Sequence, residues 1–237
     1  MKGVIATRAP GVQVIDLSHG IPPQNILAGA LVLKAAAAYF PAGTVHVAVV
    51  DPGVGTERSA ICVETADACF VGPDNGLLSL AAPLDRATRV VSITDERFML
   101  TPRSRTFHGR DVFAPVAAAL ATGTPPTALG DEQEDMVYLD LPIPERDGAA
   151  IRGEILYIDQ FGNLATNIEA GLLPAAIDHV EIAGRTILFV DAYADAERGS
   201  PLALVNSWGV VEIAVRDGSA QAVLGADVGE PVTVIGA

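Results

Sequence analysis

Aromatic side chains are scarce in this chain, and basic ones are outnumbered almost two to one. Phe, Tyr and Trp make up 5% of the 237 residues, with a single tryptophan, so any core must be built from aliphatics. Half the residues are hydrophobic, which is ample for such a core and excludes a disordered chain. Fifteen Lys and Arg against 29 Asp and Glu leave a net charge of −14. That balance argues against a nucleic-acid partner, which needs cations to neutralise phosphates. A cationic small ligand is compatible with it, as is a plain solubility role. Only two cysteines occur, Cys62 and Cys69, both in apolar text, and a reduced pair is expected rather than a disulfide. No His, Cys and carboxylate group has metal-ligand spacing. The longest apolar run, 26–40, is broken by Gly29 and Lys34 and falls short of a bilayer span. No basic leader with a cleavable apolar core opens the sequence, so a cytoplasmic protein is expected.

The apolar pattern divides the chain in two. In the first part, a short strand is predicted over 12–17, a helix over 25–40 and a strand ending at Val50. That succession predicts a right-handed crossover in a parallel sheet. A hairpin follows over 59–63 and 68–71, then a turn at Pro73-Asp74-Asn75-Gly76 and a helix over 111–121. Beyond 148 come short β-type runs at 151–158, 179–182, 186–190, 202–205, 210–215 and 231–235, with no long helix between them. The expected architecture is an α/β N-terminal domain with a mainly parallel sheet (1–130), an acid- and proline-rich linker (131–148) and a small all-β, barrel-like C-terminal domain (149–237). No internal repeat or low-complexity tract is present.

Three polar corners carry the candidate chemistry. Val50-Asp51-Pro52-Gly53-Val54-Gly55-Thr56-Glu57-Arg58 follows a strand, which puts a carboxylate at a C-terminal sheet edge where α/β folds build ligand sites. Thr106-Phe107-His108-Gly109-Arg110-Asp111 precedes a helix, with Asp111 read most simply as its N-cap. Asp51, Arg58 and His108 together could orient and polarise a water, although each alone has an ordinary turn, surface or helix-entry explanation. Asp74 and Asn75 either shape their own turn or line the same cleft. His19, His46 and His179 are read as structural. In the second part, Tyr157-Ile158-Asp159-Gln160-Phe161-Gly162-Asn163-Leu164-Ala165-Thr166-Asn167 offers an acid, an aromatic and an amide within five residues, able to grip an ammonium, a flat ring and a ring-edge donor and acceptor. A β-bulge kinked at Gly162 is the alternative. Asn206-Ser207-Trp208-Gly209 is a further compact polar turn.

Taken in order, seven segments resemble the S-adenosyl-L-methionine (SAM) hydrolases, or SAM hydroxide adenosyltransferases, which share a fold with the fluorinase and chlorinase enzymes. They are Ile21-Pro22-Pro23-Gln24, Tyr39-Phe40-Pro41-Ala42-Gly43-Thr44-Val45, Val50 to Thr56, Pro73-Asp74-Asn75-Gly76-Leu77-Leu78, Thr106 to Asp111, Ile158-Asp159-Gln160-Phe161-Gly162-Asn163 and Asn206-Ser207-Trp208-Gly209. The resemblance implies a homotrimer, with active sites formed by the N-domain of one subunit and the C-domain of its neighbour. It implies that Asp51, Arg58 and His108 match the family's water-activating set and that Phe107 walls the reaction centre. Asp159 and Ser207 match positions that hold the methionine head group, and Phe161 and Asn163 positions at the adenine. It also implies that Met1-Lys2-Gly3-Val4-Ile5 falls in the family's first helix. An opening strand and a Thr-Asp-Phe-Gly-like loop, which supplies an acid for the ribose hydroxyls, are therefore expected to be missing.

The implied reaction is attack of water or hydroxide at the ribose C5′ of SAM, giving adenosine and L-methionine, with SAM as substrate and no cofactor. A non-catalytic SAM- or adenosine-binding protein, a structural oligomer and a SAM-dependent halogenase are the alternatives. Halide-using relatives carry a tyrosine where Asp51 stands, and the fluorinase a serine where Gly109 stands; a carboxylate at the nucleophile position repels a halide. Trp208 stands where the fluorinase has an arginine, so that side chain's carboxylate-binding role does not carry over.

Overall fold

A computed structural model describes residues 1–237, and the chain separates into two units, Met1–Leu139 and Asp140–Ala237. The first unit contains α1 (Lys2–Arg8), α2 (Ile26–Ala37), β1 (Thr44–Val47), β2 (Ala60–Thr65), β3 (Ala68–Pro73), β4 (Ala87–Ser92), α3 (Ala114–Ala121) and β5 (Glu132–Gln133). Its sheet has the order β1-β3-β2-β4-β5. Period-two alternation decides which side chains meet which helix. Ile61, Val63, Phe70 and Val90 pack with Ala30 and Leu33 of α2. Cys62, Val71 and Val91 face the other way, against Val116 and Leu120 of α3. Both sheet faces are thus covered, which explains the near-continuous apolar text of β2 and β3.

The sheet is mixed rather than mainly parallel. Only β1 and β3 run parallel; β2 pairs antiparallel with β3 and β4, and β4 with β5. The reason is local, because Ala66 and Asp67 alone join β2 to β3, and a two-residue connection permits only a hairpin. The predicted strand at 12–17 is also absent: this segment makes no ladder, and Val12, Val14, Ile15 and Leu17 are exposed. Apolar residues alone do not make a strand without a partner edge, so the expected crossover into β1 does not form. The helix at 25–40 is present as α2, capped by the Asn25 side chain, which accepts from the Ala28 N–H at 2.9 Å.

The second unit contains β6 (Glu145–Asp147), β7 (Ala150–Ile158), β8 (Leu164–Glu169), β9 (Ile177–Ile182), β10 (Arg185–Ile187), β11 (Pro201–Val205), β12 (Val210–Val215), α4 (Ala220–Leu224) and β13 (Pro231–Gly236). The order is β10-β9-β13-β7-β8-β12-β11, with β6 also on β7. All these ladders are antiparallel. A bridge from Phe189 to Ala203 brings the segment after β10 against β11 and nearly closes the barrel. The interior is filled by Ile151, Ile155, Leu164, Ile168, Val211, Ile213 and Val234 among others. β8 overlaps the polar segment after Tyr157, and its Thr166 and Asn167 hid it from the hydrophobic pattern. Their side chains are buried and satisfied, Thr166 by donating to the Val211 carbonyl at 2.8 Å and Asn167 by donating to the Pro142 carbonyl at 2.9 Å.

Candidate active site

Asp51 stands just past β1, and the chain around it is held by its neighbours. Ala48 extends the parallel ladder by donating to the Val71 carbonyl (3.0 Å), and the Asn75 amide donates to the Val50 carbonyl (2.9 Å). After Asp51 the chain turns tightly, with Val54 N–H donating to the Asp51 carbonyl and Thr56 N–H to the Gly53 carbonyl. Gly55 has φ +80°, and a Cβ there would lie 2.3 Å from the Arg105 carbonyl oxygen. Only glycine lets the loop pass this close to the 103–106 segment.

That loop returns Arg58 onto Asp51. Arg58 Nε donates to Asp51 Oδ1 at 2.8 Å and Nη2 to Asp51 Oδ2, a two-pronged ion pair whose side chains are 10% and 5% exposed. Nη2 also lies 2.9 Å from His108 Nδ1, and the guanidinium sits over the Phe113 ring at 5.4 Å. A guanidinium nitrogen only donates, so His108 Nδ1 must accept and Nε2 must carry the ring proton. Burial first, and the Arg58 charge second, hold the imidazole below its ordinary pKa. His108 is therefore a neutral ring with a fixed tautomer. The three side chains proposed to cooperate meet at one point, across 50 residues of sequence between Arg58 and His108.

The segment after His108 enters its helix through a wide turn over Gly109–Phe113 before α3 begins. Asp111 lies inside that turn and is not an N-cap. Its buried carboxylate instead receives Arg110 Nε at 2.6 Å and the Ser104 N–H at 2.7 Å, and Arg110 together with this backbone donor lowers its pKa. Asp111 thus ties the 101–106 loop to the helix that carries His108. Phe107 is 47% exposed, with the Arg110 guanidinium 5.1 Å above its ring. Asp74 is structural here, accepting from the Val137 N–H at 2.8 Å. His46 is buried between Phe40 and Phe70, His19 pairs with Asp16, and His179 pairs with Asp178 and Glu181. A groove of about 920 Å³ runs beside β1, lined by residues including Val14, Ile15, Val47 and Val49, and reaches Asp51 and Pro52.

In the second unit, Asp159 organises its own loop. Oδ1 accepts from the N–H groups of Phe161 (2.8 Å) and Asn163 (2.9 Å), and Oδ2 from the Asn163 amide (3.0 Å). Gly162 has φ +81°, and a Cβ there would meet Ser219 Oγ at 2.0 Å, so glycine is required, although it kinks the turn between β7 and β8 and not a β-bulge. It leaves Phe161 66% exposed. Phe161 and Asn163 line a cavity of about 460 Å³ together with Tyr193, Ala194 and the turn from Val215 to Gly218. Ser207 is exposed on the Asn206–Gly209 turn, and Trp208 packs against Tyr157 with ring centroids 5.5 Å apart. Sequence reasoning missed Tyr193, which forms a cavity wall, and Glu212, whose carboxylate receives the Tyr193 hydroxyl at 2.6 Å. A lone acid inside the apolar run Val210-Val211-Glu212-Ile213-Ala214-Val215 was the available signal.

Residues 1–130 match the SAM hydroxide adenosyltransferase N-terminal domain and residues 153–233 its C-terminal domain. The chain is 41% identical over 243 residues to the (R)-S-adenosyl-L-methionine hydrolase of Thermus thermophilus, covering 99% of this chain and 92% of that protein. A fluorinase from Actinoplanes sp. is more distant, 25% identical over 90% of this chain and 84% of its own. A crystal structure of an uncharacterized conserved protein from Thermotoga maritima superposes with a TM-score of 0.92 at 34% identity, over 99% of this chain and 93% of that one. Matched from end to end in both of its units, the chain belongs to the SAM hydroxide adenosyltransferase family.

Proposed function

We propose that this protein hydrolyses SAM to adenosine and L-methionine, and that Asp51, Arg58 and His108 hold the attacking water. The observation that carries this reading is the convergence of those three side chains on one buried point. Arg58 occupies one direction on each Asp51 oxygen, which leaves further lone pairs able to accept a water O–H. His108 acts on that carboxylate through Arg58, its Nδ1 accepting from the same Nη2 that grips Asp51 Oδ2. A carboxylate held in one orientation fixes the water's lone pair towards an electrophile, and orientation alone can contribute about 7–11 kcal/mol in favourable cases. As the C5′–O bond forms, the C5′–S bond breaks and methionine leaves as a neutral thioether carrying the electron pair. The proton is lost from the attacking oxygen to Asp51 and then to solvent. A neutral leaving group needs neither a proton nor a Lewis acid, so the reading includes no cofactor or metal.

Phe107 is assigned to walling the reaction centre. Asp159 and Ser207 are assigned to the methionine head group, and Phe161 and Asn163 to the adenine. The exposed Phe161 ring beside an amide on a cavity of about 460 Å³ supports the latter pair. The reading extends to a cytoplasmic homotrimer with sites at subunit interfaces. Incubating the protein with SAM tests it: adenosine and methionine should appear in equal amounts, unchanged by a chelator, and light scattering should give three chains per particle. Asp51→Ala should abolish turnover while leaving the assembly intact, and full turnover by that variant would remove Asp51 from the mechanism.

A further inference from the structure

We propose that Glu212 is a positioning residue that sets the two SAM-binding elements of the second unit in register with each other. The inference rests on the functional reading above and extends it to a side chain that need touch no substrate. Glu212 lies in the middle of β12 and is 6% exposed. One carboxylate oxygen receives the Tyr193 hydroxyl at 2.6 Å and the other the Asn206 amide at 3.0 Å. Tyr193 is a wall of the cavity that also holds Phe161 and Asn163. Asn206 shapes the turn carrying Ser207, its Oδ1 accepting from the N–H groups of Trp208 (2.9 Å) and Val210 (3.3 Å).

Those two accepted bonds settle which way the Asn206 amide faces. Its oxygen is spent on the turn's own backbone, so its NH2 must point at Glu212, and a carboxylate is the acceptor that meets it. The second oxygen is then directed at Tyr193. One buried acid therefore joins the wall assigned to the adenine to the turn assigned to the amino-acid end. Burial, followed by the Glu212 carboxylate, raises the Tyr193 phenol's pKa, so the hydroxyl keeps the proton that makes this contact. The water-activating residues all belong to the first unit, so disturbing Glu212 should loosen substrate binding rather than slow the chemical step.

The test compares Glu212→Leu with Glu212→Gln. Leucine leaves both donors unpaired, and the KM for SAM should rise about tenfold or more while kcat stays within about twofold. A glutamine can accept from Asn206 through Oε1 and donate to the Tyr193 oxygen through Nε2, so E212Q should return KM to within about threefold of the parent. Trp208, the single tryptophan, sits in the turn and reports on it directly: its emission should shift in E212L and not in E212Q. Where E212L does not fold, Tyr193→Phe cuts one link alone and should raise KM with Trp208 emission unchanged. A folded E212L with parental KM and emission, or a Tyr193→Phe variant with parental KM, overturns the inference. Failure of the unmodified protein to turn SAM over defeats the functional reading instead. In that event the Trp208 emission still decides whether Glu212 holds the turn.

Discussion

Removing Arg58 should cost more than removing Asp51, and removing both should cost less than the sum. Arg58→Met leaves the Asp51 carboxylate, 5% exposed, without its partner, and an uncompensated buried charge of this kind costs about 3–5 kcal/mol. Asp51→Asn keeps the shape and removes the charge. Arg58 then retains its contact with His108, its position over Phe113 and a 3.3 Å bond from Nη1 to the Ser59 carbonyl. The expected loss is that of one charge-assisted interaction, about 1.5–3 kcal/mol. With both changes no charge remains buried, and the double variant should be about as stable as Arg58→Met alone, far short of the summed losses. The coupling expected is about 2–3 kcal/mol, the upper range for residues in one network. In a chain of this size each kcal/mol corresponds to about 2–4 °C in melting temperature, so melts at one fixed protein concentration resolve the cycle. Strict additivity of the two single changes would refute the claim that these side chains form one buried unit.

Two further outcomes follow from the same geometry. His108 has a depressed pKa, so below pH 6.5 the unfolded chain takes up the proton first and stability falls as pH drops through the folded value. Turnover should fall in the same window, because imidazolium loses its Nδ1 acceptor and repels Arg58. A pH profile for kcat/KM with no acidic limb, or one unchanged in His108→Gln, would contradict this. Phe161→Ala removes an exposed ring, so calorimetry should show adenosine affinity falling by about 1–3 kcal/mol with the melting temperature unchanged; a large drop in melting temperature would mean the ring is structural.

Much of the site was legible because its motifs are local. Gly55 and Gly162 mark backbone kinks that other residues do not fit, and Asp159 closes a loop within four residues of itself. The helix at 25–40 was readable from its Asn25 cap and its broad apolar face. Sheet topology was less accessible. A buried strand reads the same whether its neighbour runs parallel or antiparallel, so the sheet expected to be mainly parallel is mixed. The 12–17 segment shows the same limit, since its apolar residues name no partner edge. Asp111 was misread because an acid near a helix start fits a cap as well as it fits a tie to a distant loop.

Composition determined that this is an acidic chain, apolar patterning that it has two parts, and seven ordered motifs its resemblance to the SAM hydroxide adenosyltransferase family, with Asp51, Arg58 and His108 as its candidate chemistry. Tertiary structure alone decided that Arg58 bridges Asp51 and His108, which tautomer His108 holds, and that a single buried carboxylate at Glu212 joins Tyr193 to Asn206. The reason is that a side chain's protonation and hydrogen bonds depend on which atoms lie within about 3 Å of it, and residues brought together from distant parts of the sequence carry no local mark of that meeting.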